Sequence, residues 1–360
     1  MIVKDEERFL EGCLNSIKDV VDEIIIVDTG SVDQTKAIAR KFGAYIYEFN
    51  WEDDFAAARN YGLEQATGDW ILWLDADEQL DALDRYKLRD ILYMDDLDLV
   101  SLHLINYYGT EVNLDESFHI AHTRLFRNHK GIQFENKIHE ALNIRDPLPI
   151  PMAPIKLYHY GYMNDVAESK NKLERNLRLL ENEMKQGSQN PWIPYHIATE
   201  YFRDQQYERS FEYVNKAIIQ FILQGSTPPS MLYKLKYSVL LGLGSIDGAW
   251  PGIQKAVELY PDYVDLHYYK GLILYAKERY AEALESFNYC LELGETNLKH
   301  LILKGAGSFQ AWYQKGRCQQ KLGMLEDAAT SYERAASMSL SYKDPVKALQ
   351  SLRGGGEVAD

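Results

Sequence analysis

Ile24-Ile25-Ile26-Val27-Asp28 is a short β-branched run of the kind that parallel sheets bury on both faces. Thr29-Gly30-Ser31 follows as a turn, and Asp33 is placed to cap a helix over residues 34–42. Gly43 stops that helix, and residues 44–49 read as the next strand. Asp53 or Asp54 can cap a third helix running to Ala66, and Gly68 closes it. Trp70-Ile71-Leu72-Trp73-Leu74 then reads as a buried strand that delivers Asp75-Ala76-Asp77. Strand–helix–strand repeated in this way is the pattern of a doubly wound, Rossmann-like α/β sheet. Such sheets bind ligands at the carboxyl ends of their strands. Asp28 and Asp75 both lie at such ends and are expected to face one crevice.

Two carboxylates at i and i+2 past a buried strand suit a hard divalent cation. Mg²⁺ or Mn²⁺ takes oxygen ligands, usually one or two carboxylates plus the phosphates of a substrate. Asp75 and Asp77 therefore point to a nucleoside diphosphate held through a metal. Asp-x-Asp also occurs in solvated turns and helix caps, so the surrounding segments carry the argument.

A chain of 360 residues, 46% hydrophobic, can build two domains with real cores. Its net charge of −15 argues against nucleic acid and against an anionic membrane surface as general partners. No apolar run approaches the length of an integral membrane segment, and no secretory leader precedes the first strand, which starts almost at Met1. Cys13, Cys290 and Cys318 have no metal or redox spacing. They read as buried free thiols, which fits a cytoplasmic location.

The second half changes character near Asn164. Residues 167–186 form a long charged helical segment, followed by a repeat with a period of about 34 residues, the tetratricopeptide length. Gly271, Tyr280, Ala283, Phe287 and Cys290 sit at helix-pair spacing, and Gly316, Ala328, Tyr332 and Ala335 follow the same pattern. Ala249, Ile253, Ala256 and Pro261 match a second helix and its closing proline, and Ala198, Tyr201, Ser210, Val214 and Ala217 give a degenerate first copy. Small residues let paired helices approach, and aromatics fill the groove between them. Residues 296–310 read as an insertion between the last two copies. The expected layout is an α/β domain over 1–165, a connecting helix over 166–190, all-α repeats over 191–345 and a flexible tail over 346–360. Stacked helix pairs make a concave surface suited to a peptide or to a second copy of the chain, and packing against the first domain is the alternative. Peptide binding or homodimer formation is the favoured expectation.

Met1-Ile2-Val3-Lys4-Asp5-Glu6-Glu7, Ile26-Val27-Asp28-Thr29-Gly30-Ser31-Val32-Asp33, Ala57-Ala58-Arg59-Asn60 and Leu74-Asp75-Ala76-Asp77-Glu78 together resemble the family-two inverting glycosyltransferases with the GT-A fold. The resemblance covers roughly the first 160 residues in four ordered motifs. The chain looks most like the subgroup with a tetratricopeptide tail that includes the sublancin-type peptide S-glycosyltransferase. The resemblance implies a nucleotide-sugar domain, a nucleotide diphosphate sugar as donor, probe-worthy with UDP-linked hexoses first, and Mg²⁺ or Mn²⁺ as cofactor. It places Val3, Glu6, Asp28, Gly30, Asp33, Arg59, Asn60, Asp75, Ala76 and Asp77 around the donor. Asp28 would accept from the base or ribose, or else only close its turn before Asp33. Glu6 would lie near the base or cap the first helix. Arg59 would pair a diphosphate oxygen, hold an Asp of the metal motif, or form a structural ion pair. In relatives the second carboxylate binds the metal more directly, and Glu78 would orient its neighbours.

Inversion needs a base opposite the leaving group. Phe134-Glu135-Asn136-Lys137-Ile138-His139-Glu140 follows the strand Thr123-Arg124-Leu125-Phe126-Arg127, where relatives place acceptor-side residues. Either His139 or Glu140 would take the acceptor proton; a neutral histidine suffices for a thiol, and a carboxylate is more usual for a hydroxyl. In Tyr158-His159-Tyr160-Gly161-Tyr162, His159 is expected as a third metal ligand or as a cover for the diphosphate, with Gly161 allowing a tight turn. Arg124 and Arg127 either meet phosphate or flank a strand. The expected activity is hexosyl transfer to a Cys or Ser of a peptide or protein. The alternatives are a saccharide or cell-envelope glycan acceptor, and a non-catalytic repeat-type binding protein. A nucleotidyltransferase is disfavoured, because Lys4-Asp5-Glu6-Glu7 is too acidic for a phosphate loop.

Overall fold

The computed structural model describes residues 1–94, 97–144, 150–163 and 172–354. The chain divides into two compact units: Met1–Val112 with Ile120–Leu179, and Asn113–His119 with Leu180–Asp360. Among the described residues, no helix is long and apolar enough to cross a membrane.

The first unit opens with β1 (Ile2–Val3), α1 (Leu10–Ile17), β2 (Ile25–Asp28), α2 (Thr35–Lys41), β3 (Tyr45–Glu48) and α3 (Phe55–Glu64). The three strands pair in parallel in the order β1-β2-β3, with Val3 opposite Asp28 and Asp28 opposite Glu48. α1 turns Leu10, Cys13, Leu14 and Ile17 into the core, the i, i+3, i+4, i+7 spacing of one helical face. Asp54, rather than Asp53, caps α3: its Oδ1 accepts from Ala57 N at 2.8 Å. Asp53 instead accepts from both terminal nitrogens of Arg178, at 2.7 and 3.0 Å. α3 ends at Glu64, short of the expected residue 66. α2 begins at Thr35 with Gln34 at its cap position, while Asp33 accepts from Thr35 N at 2.9 Å and from Glu7 N at 3.0 Å.

The expected single doubly wound sheet is corrected at β4 (Trp70–Leu72). This strand pairs antiparallel with β7 (Ser117–Arg127), Leu72 facing Leu125, in a second, mixed sheet. That sheet also holds β5 (Glu78–Leu80), β6 (Leu99–Gly109) and β10 (Met152–Met163), in the order β7-β6-β10-β5. A short apolar strand after a helix has the same local pattern whichever sheet it joins. The choice is made by a partner some fifty residues downstream, outside any local reading. Val100, Leu102, Leu104, Leu125, Ile155 and Leu157 of the mixed sheet share one core with α1 and Ile26.

Between β4 and β6 lies α4 (Leu88–Leu92), and β8 (Phe134–Glu135) pairs antiparallel with β9 (Ala141–Leu142) as a hairpin. Of the expected connecting helix, residues 172–185 are helical and 164–171 lie outside the described residues.

In the second unit, helices Trp192–Arg203 and Tyr207–Leu223 form the degenerate first pair. Ser230–Gly242 precedes a helix broken at Trp250-Pro251 into Ile246–Ala249 and Gly252–Leu259. Val264–Ala276 pairs with Tyr280–Leu293, and Phe309–Lys321 with Leu325–Met338. A Cβ on Gly271 would stand 2.6 Å from the Phe287 ring, and one on Gly316 would stand 2.6 Å from the Tyr332 ring. These are equivalent positions in successive copies, so the glycine–aromatic fit repeats with the fold. The insertion is anchored by side chains of the helical pairs. Lys234 Nζ donates to Asp265 Oδ1 at 2.5 Å and to Leu301 O at 2.7 Å, and Asp265 Oδ1 accepts from Leu303 N at 2.9 Å. Ile302–Leu303 (β11) pairs with His119 and Phe118. Residues 346–354, expected in a flexible tail, belong to the helix Asp344–Gly354. Asp344-Pro345 is a helix-start signature that the glycines at 354–356 obscure; 355–360 lie outside the described residues. Cys13, Cys290 and Cys318 are all buried and free.

Candidate active site

Glu78 closes the turn that carries Asp75, Ala76 and Asp77. Its N–H donates to Asp75 O at 3.1 Å, and its Oε2 accepts from Asp75 N at 3.0 Å. Glu78 is fully buried, and its Oε1 pairs with Arg124 Nη2 from β7. Burial lifts the Glu78 carboxyl to about 7 against the opposing pull of Arg124. The Arg124 guanidinium stands 3.8 Å from the Trp73 ring centroid, and Arg59 stands 4.7 Å from it.

Arg59 reaches this cluster from α3, where Ala56 and Ala58 let the helix pack closely. Its Nη2 donates to Asp75 Oδ1 at 2.6 Å and its Nε to Glu140 Oε1 at 2.5 Å. One buried guanidinium thus holds the first carboxylate of the pair and one of the two candidate bases. Burial opposes ionisation of Asp75, but Arg59 and Arg124 hold its carboxyl well below the usual carboxylate range. α3 also grips the hairpin. Asn60 Nδ2 donates to Phe134 O at 2.9 Å, Asn60 Oδ1 accepts from Phe134 N at 2.8 Å, and Phe55 N donates to Lys137 O at 2.8 Å. Asn60, expected beside the donor, holds the backbone of Phe134 with its amide. His139, with φ +52°, and Glu140 stand in the loop between β8 and β9, not on a strand or short helix. A pocket of about 390 Å³ opens between the start of α3 and the hairpin, lined by Asp54, Ala56, Ala57, Phe134, Asn136 and Lys137.

Asp77 meets His159 from β10, Oδ1 to Nε2 at 3.5 Å. Burial lowers the His159 pKa, but Asp77 overrides it and the net shift is upward. Nδ1 of His159 lies 2.8 Å from Asn106 Oδ1. Gly161 makes no tight turn. It lies in β10, where the register against β6 slips between His159 and Tyr162. A Cβ built on it would stand 2.5 Å from Asp77 Oδ2 and 2.5 Å from His159 Nε2. Only glycine lets both groups pack so close to the strand. One carboxylate and one imidazole nitrogen therefore stand side by side against Gly161. That donor set fits a divalent ion that takes its other ligands from phosphate and water. The expected trio Asp75, Asp77 and His159 is not assembled: among the described residues, no three His, Cys, Asp or Glu side chains are placed to hold one ion. Arg59 turns Asp75 Oδ1 away, and the pair Asp77–His159 remains.

The other expected donor residues form a separate hydrogen-bonded group. Asp28, 2% exposed, accepts from Gly30 N and Ser31 N at 3.2 Å, so its carboxylate closes the turn. Lys36 Nζ stands 3.8 Å from Asp28 Oδ2. Val3 O accepts from Thr29 N at 3.0 Å, and Glu6 N donates to Thr35 Oγ1 at 2.7 Å. Asp33, through Glu7 N, ties the loop after β1 to the start of α2. Arg127 lies over Trp70, 4.4 Å from its ring centroid, as a strand flank. Sequence reasoning missed Asn106 and Trp73. The signal for the first was a lone amide in the apolar run Leu104-Ile105-Asn106-Tyr107.

Residues 1–152 match the family model described as Glycosyl transferase family 2. The amino-terminal domain belongs to glycosyl transferase family 2. Two tetratricopeptide repeat models match residues 264–297 and 309–342, leaving the insertion between them. The chain is similar to the TPR repeat-containing protein Synpcc7942_0270 of Synechococcus elongatus, 33% identical over 72% of this chain and 65% of that protein. It is similar to the SPbeta prophage-derived glycosyltransferase SunS of Bacillus subtilis, 30% identical over 61% of this chain and 52% of that one. A third relative is the lipopolysaccharide core biosynthesis glycosyltransferase LpsC of Rhizobium meliloti, 31% identical over 39% and 55%. The chain therefore spans between about half and two thirds of the length of these relatives. The family 2 domain is the α/β part of the first unit; Arg59, Asp77 and Glu140 lie within the matched span and His159 directly after it.

Proposed function

We propose that the protein is a metal-dependent inverting glycosyltransferase, moving a hexose from a nucleotide diphosphate sugar, UDP-linked by preference, to a Cys or Ser of a peptide or protein. The observation that carries this reading is the approach of Asp77 Oδ1 and His159 Nε2 to 3.5 Å, packed against Gly161. A divalent ion there would stabilise negative charge building on the departing diphosphate. Asp77 and His159 would hold it, and Asp75, fixed by Arg59 and Glu78, would orient the ribose side of the donor. Asp28, Gly30 and Glu6 are assigned to the base and ribose.

The acceptor enters from the hairpin side, by the pocket under Phe134 and Lys137. Its sulfur or oxygen forms the bond to the anomeric carbon as the bond from that carbon to the phosphate oxygen breaks. The acceptor proton passes to His139 or to Glu140. Arg59 restrains Glu140 at 2.5 Å, which makes His139 the better base for a thiol. Similarity to SunS and the repeats supports a peptide acceptor, and the buried thiols fit a cytoplasmic protein, paired as a homodimer through its repeats. Similarity to LpsC supports the second reading, a saccharide acceptor.

The test is intact-mass analysis of candidate peptides and oligosaccharides incubated with the full chain, Mn²⁺ and a panel of UDP- and GDP-sugars. A hexose-sized increase on a peptide that is lost in Asp77→Ala supports the proposal. Transfer undiminished by chelation of the metal sinks the metal-dependent form. Turnover on saccharides alone replaces the first acceptor reading with the second.

A further inference from the structure

His159 can serve the ion only through Nε2, the nitrogen that faces Asp77 at 3.5 Å. Neutral imidazole carries one N–H, and the hydrogen bond at one nitrogen decides which atom keeps the lone pair. On the far side of the ring, Nδ1 lies 2.8 Å from Asn106 Oδ1. The two residues face each other in the β6–β10 ladder, His159 opposite Asn106. Asn106 is 6% exposed, and its neighbours Ile105 and Tyr107 are buried core residues. A polar amide costs stability at such a position unless it is hydrogen-bonded, and an apolar side chain would serve packing better.

We infer that Asn106 is a positioning residue for the metal end of the site: its side-chain oxygen accepts the Nδ1 proton of His159 and so leaves Nε2, beside Asp77, as the nitrogen that gives its lone pair to the ion. This rests on the metal reading above. Glu78 completes the arrangement from β5, because it stands opposite His159 in the β5–β10 ladder while holding Asp75 N. The Tyr162 ring, 4.8 Å from the imidazole and edge-on to it, limits how far the ring can swing. Outer partners of this kind typically change metal affinity by about 10–100-fold when removed.

The experiment uses the full chain labelled with ¹⁵N. Long-range ¹H–¹⁵N spectra assign the His159 ring by comparison with His159→Gln, with and without Mg²⁺ and UDP. With Mg²⁺ and UDP bound, the expected wild-type signature is a proton on Nδ1 and none on Nε2. Asn106→Leu is expected to lose that signature and to weaken Mn²⁺ binding, read by water-proton relaxation, by about 10–100-fold. Asn106→Asp keeps an acceptor and is expected to restore most of it. A wild-type Nδ1 without a proton, or a Nε2 proton that persists with Mg²⁺ and UDP bound, overturns the inference with no substitution needed, so an unfolded Asn106→Leu does not rescue it. Unchanged Mn²⁺ affinity in Asn106→Leu, with loss in His159→Ala, also overturns it and leaves Asn106 a packing residue. Unchanged affinity in both Asp77→Ala and His159→Ala overturns the metal reading itself.

Discussion

Two clusters of buried charge can be set side by side. In the repeat unit, Lys234 and Asp265 form a pair that is closed on all sides by the chain itself. Lys234 also donates to Leu301 O and lies 4.6 Å from the Phe118 ring, and Asp265 also accepts from Leu303 N. Tyr263 donates to the same Leu301 O at 2.6 Å, and Ser230 Oγ stands 2.8 Å from His300 Nδ1. Every one of these bonds ends on the insertion or its flanks. In the family 2 domain the pair Arg124–Glu78 is just as buried, and buried Arg59 holds the partly exposed Asp75 and Glu140, but these pairs frame two further donors, Asp77 and His159, that meet beside Gly161. Burial of charge alone therefore does not mark a site. What marks it is where the donors point once their supports are counted.

That contrast can be broken by substitution. Lys234→Ala leaves Asp265 buried without its cation and is expected to cost about 3–5 kcal/mol of stability, measured by urea unfolding, while Mn²⁺ affinity is unchanged. Replacing both partners by apolar residues is expected to recover much of the loss. A loss well under 1 kcal/mol on the single change would mean that the pair is not desolvated as described. Asp77→Ala should do the reverse. Donor hydrolysis is expected to fall by about 10²–10³-fold, with no loss of stability beyond a cavity's worth. Wild-type turnover in that variant would remove Asp77 from the chemistry. Gly161→Ala sharpens the comparison, since it adds one methyl group where the two donors meet. A displacement on the ångström scale is expected to slow donor hydrolysis by about 10²-fold with the fold intact by circular dichroism. The smallest effect belongs to the scaffold. Asp54→Ala removes the cap of α3 and is expected to cost about 1 kcal/mol in thermal or urea unfolding. A larger fall in activity than in stability there would show that α3 sets the position of Arg59.

Much of this was legible because it is local. The β-branched run ending at Asp28, the cap at Asp54 and the glycine–aromatic spacing of the repeats are all written within a few residues of one another. The pairing of Gly271 with Phe287, and of Gly316 with Tyr332, follows from a repeat period and from the volume of a ring. The destination of β4 was not legible, because its partner lies beyond Leu97 in the sequence and one short apolar strand resembles another. Asp75 and Asp77 were readable as a pair but not in their division of labour. Arg59, sixteen positions earlier, claims Asp75 while it also holds Glu140 far later in the chain, and only tertiary packing brings these together. Asn60 shows the same limit. A helix position adjacent to Arg59 reads as donor-facing, yet its amide mimics a strand edge for Phe134.

The three thiols carry a consequence for handling the molecule. Cys13, Cys290 and Cys318 are each 0% exposed, and burial pushes the Cys318 thiol up to about 12 and raises the other two well above the usual thiol range. Maleimide chemistry requires an accessible thiolate, so the native protein should stay unlabelled under folded conditions. One cysteine introduced on the surface, at Val32 for instance, would then accept a fluorophore or spin label with all three natural ones left in place.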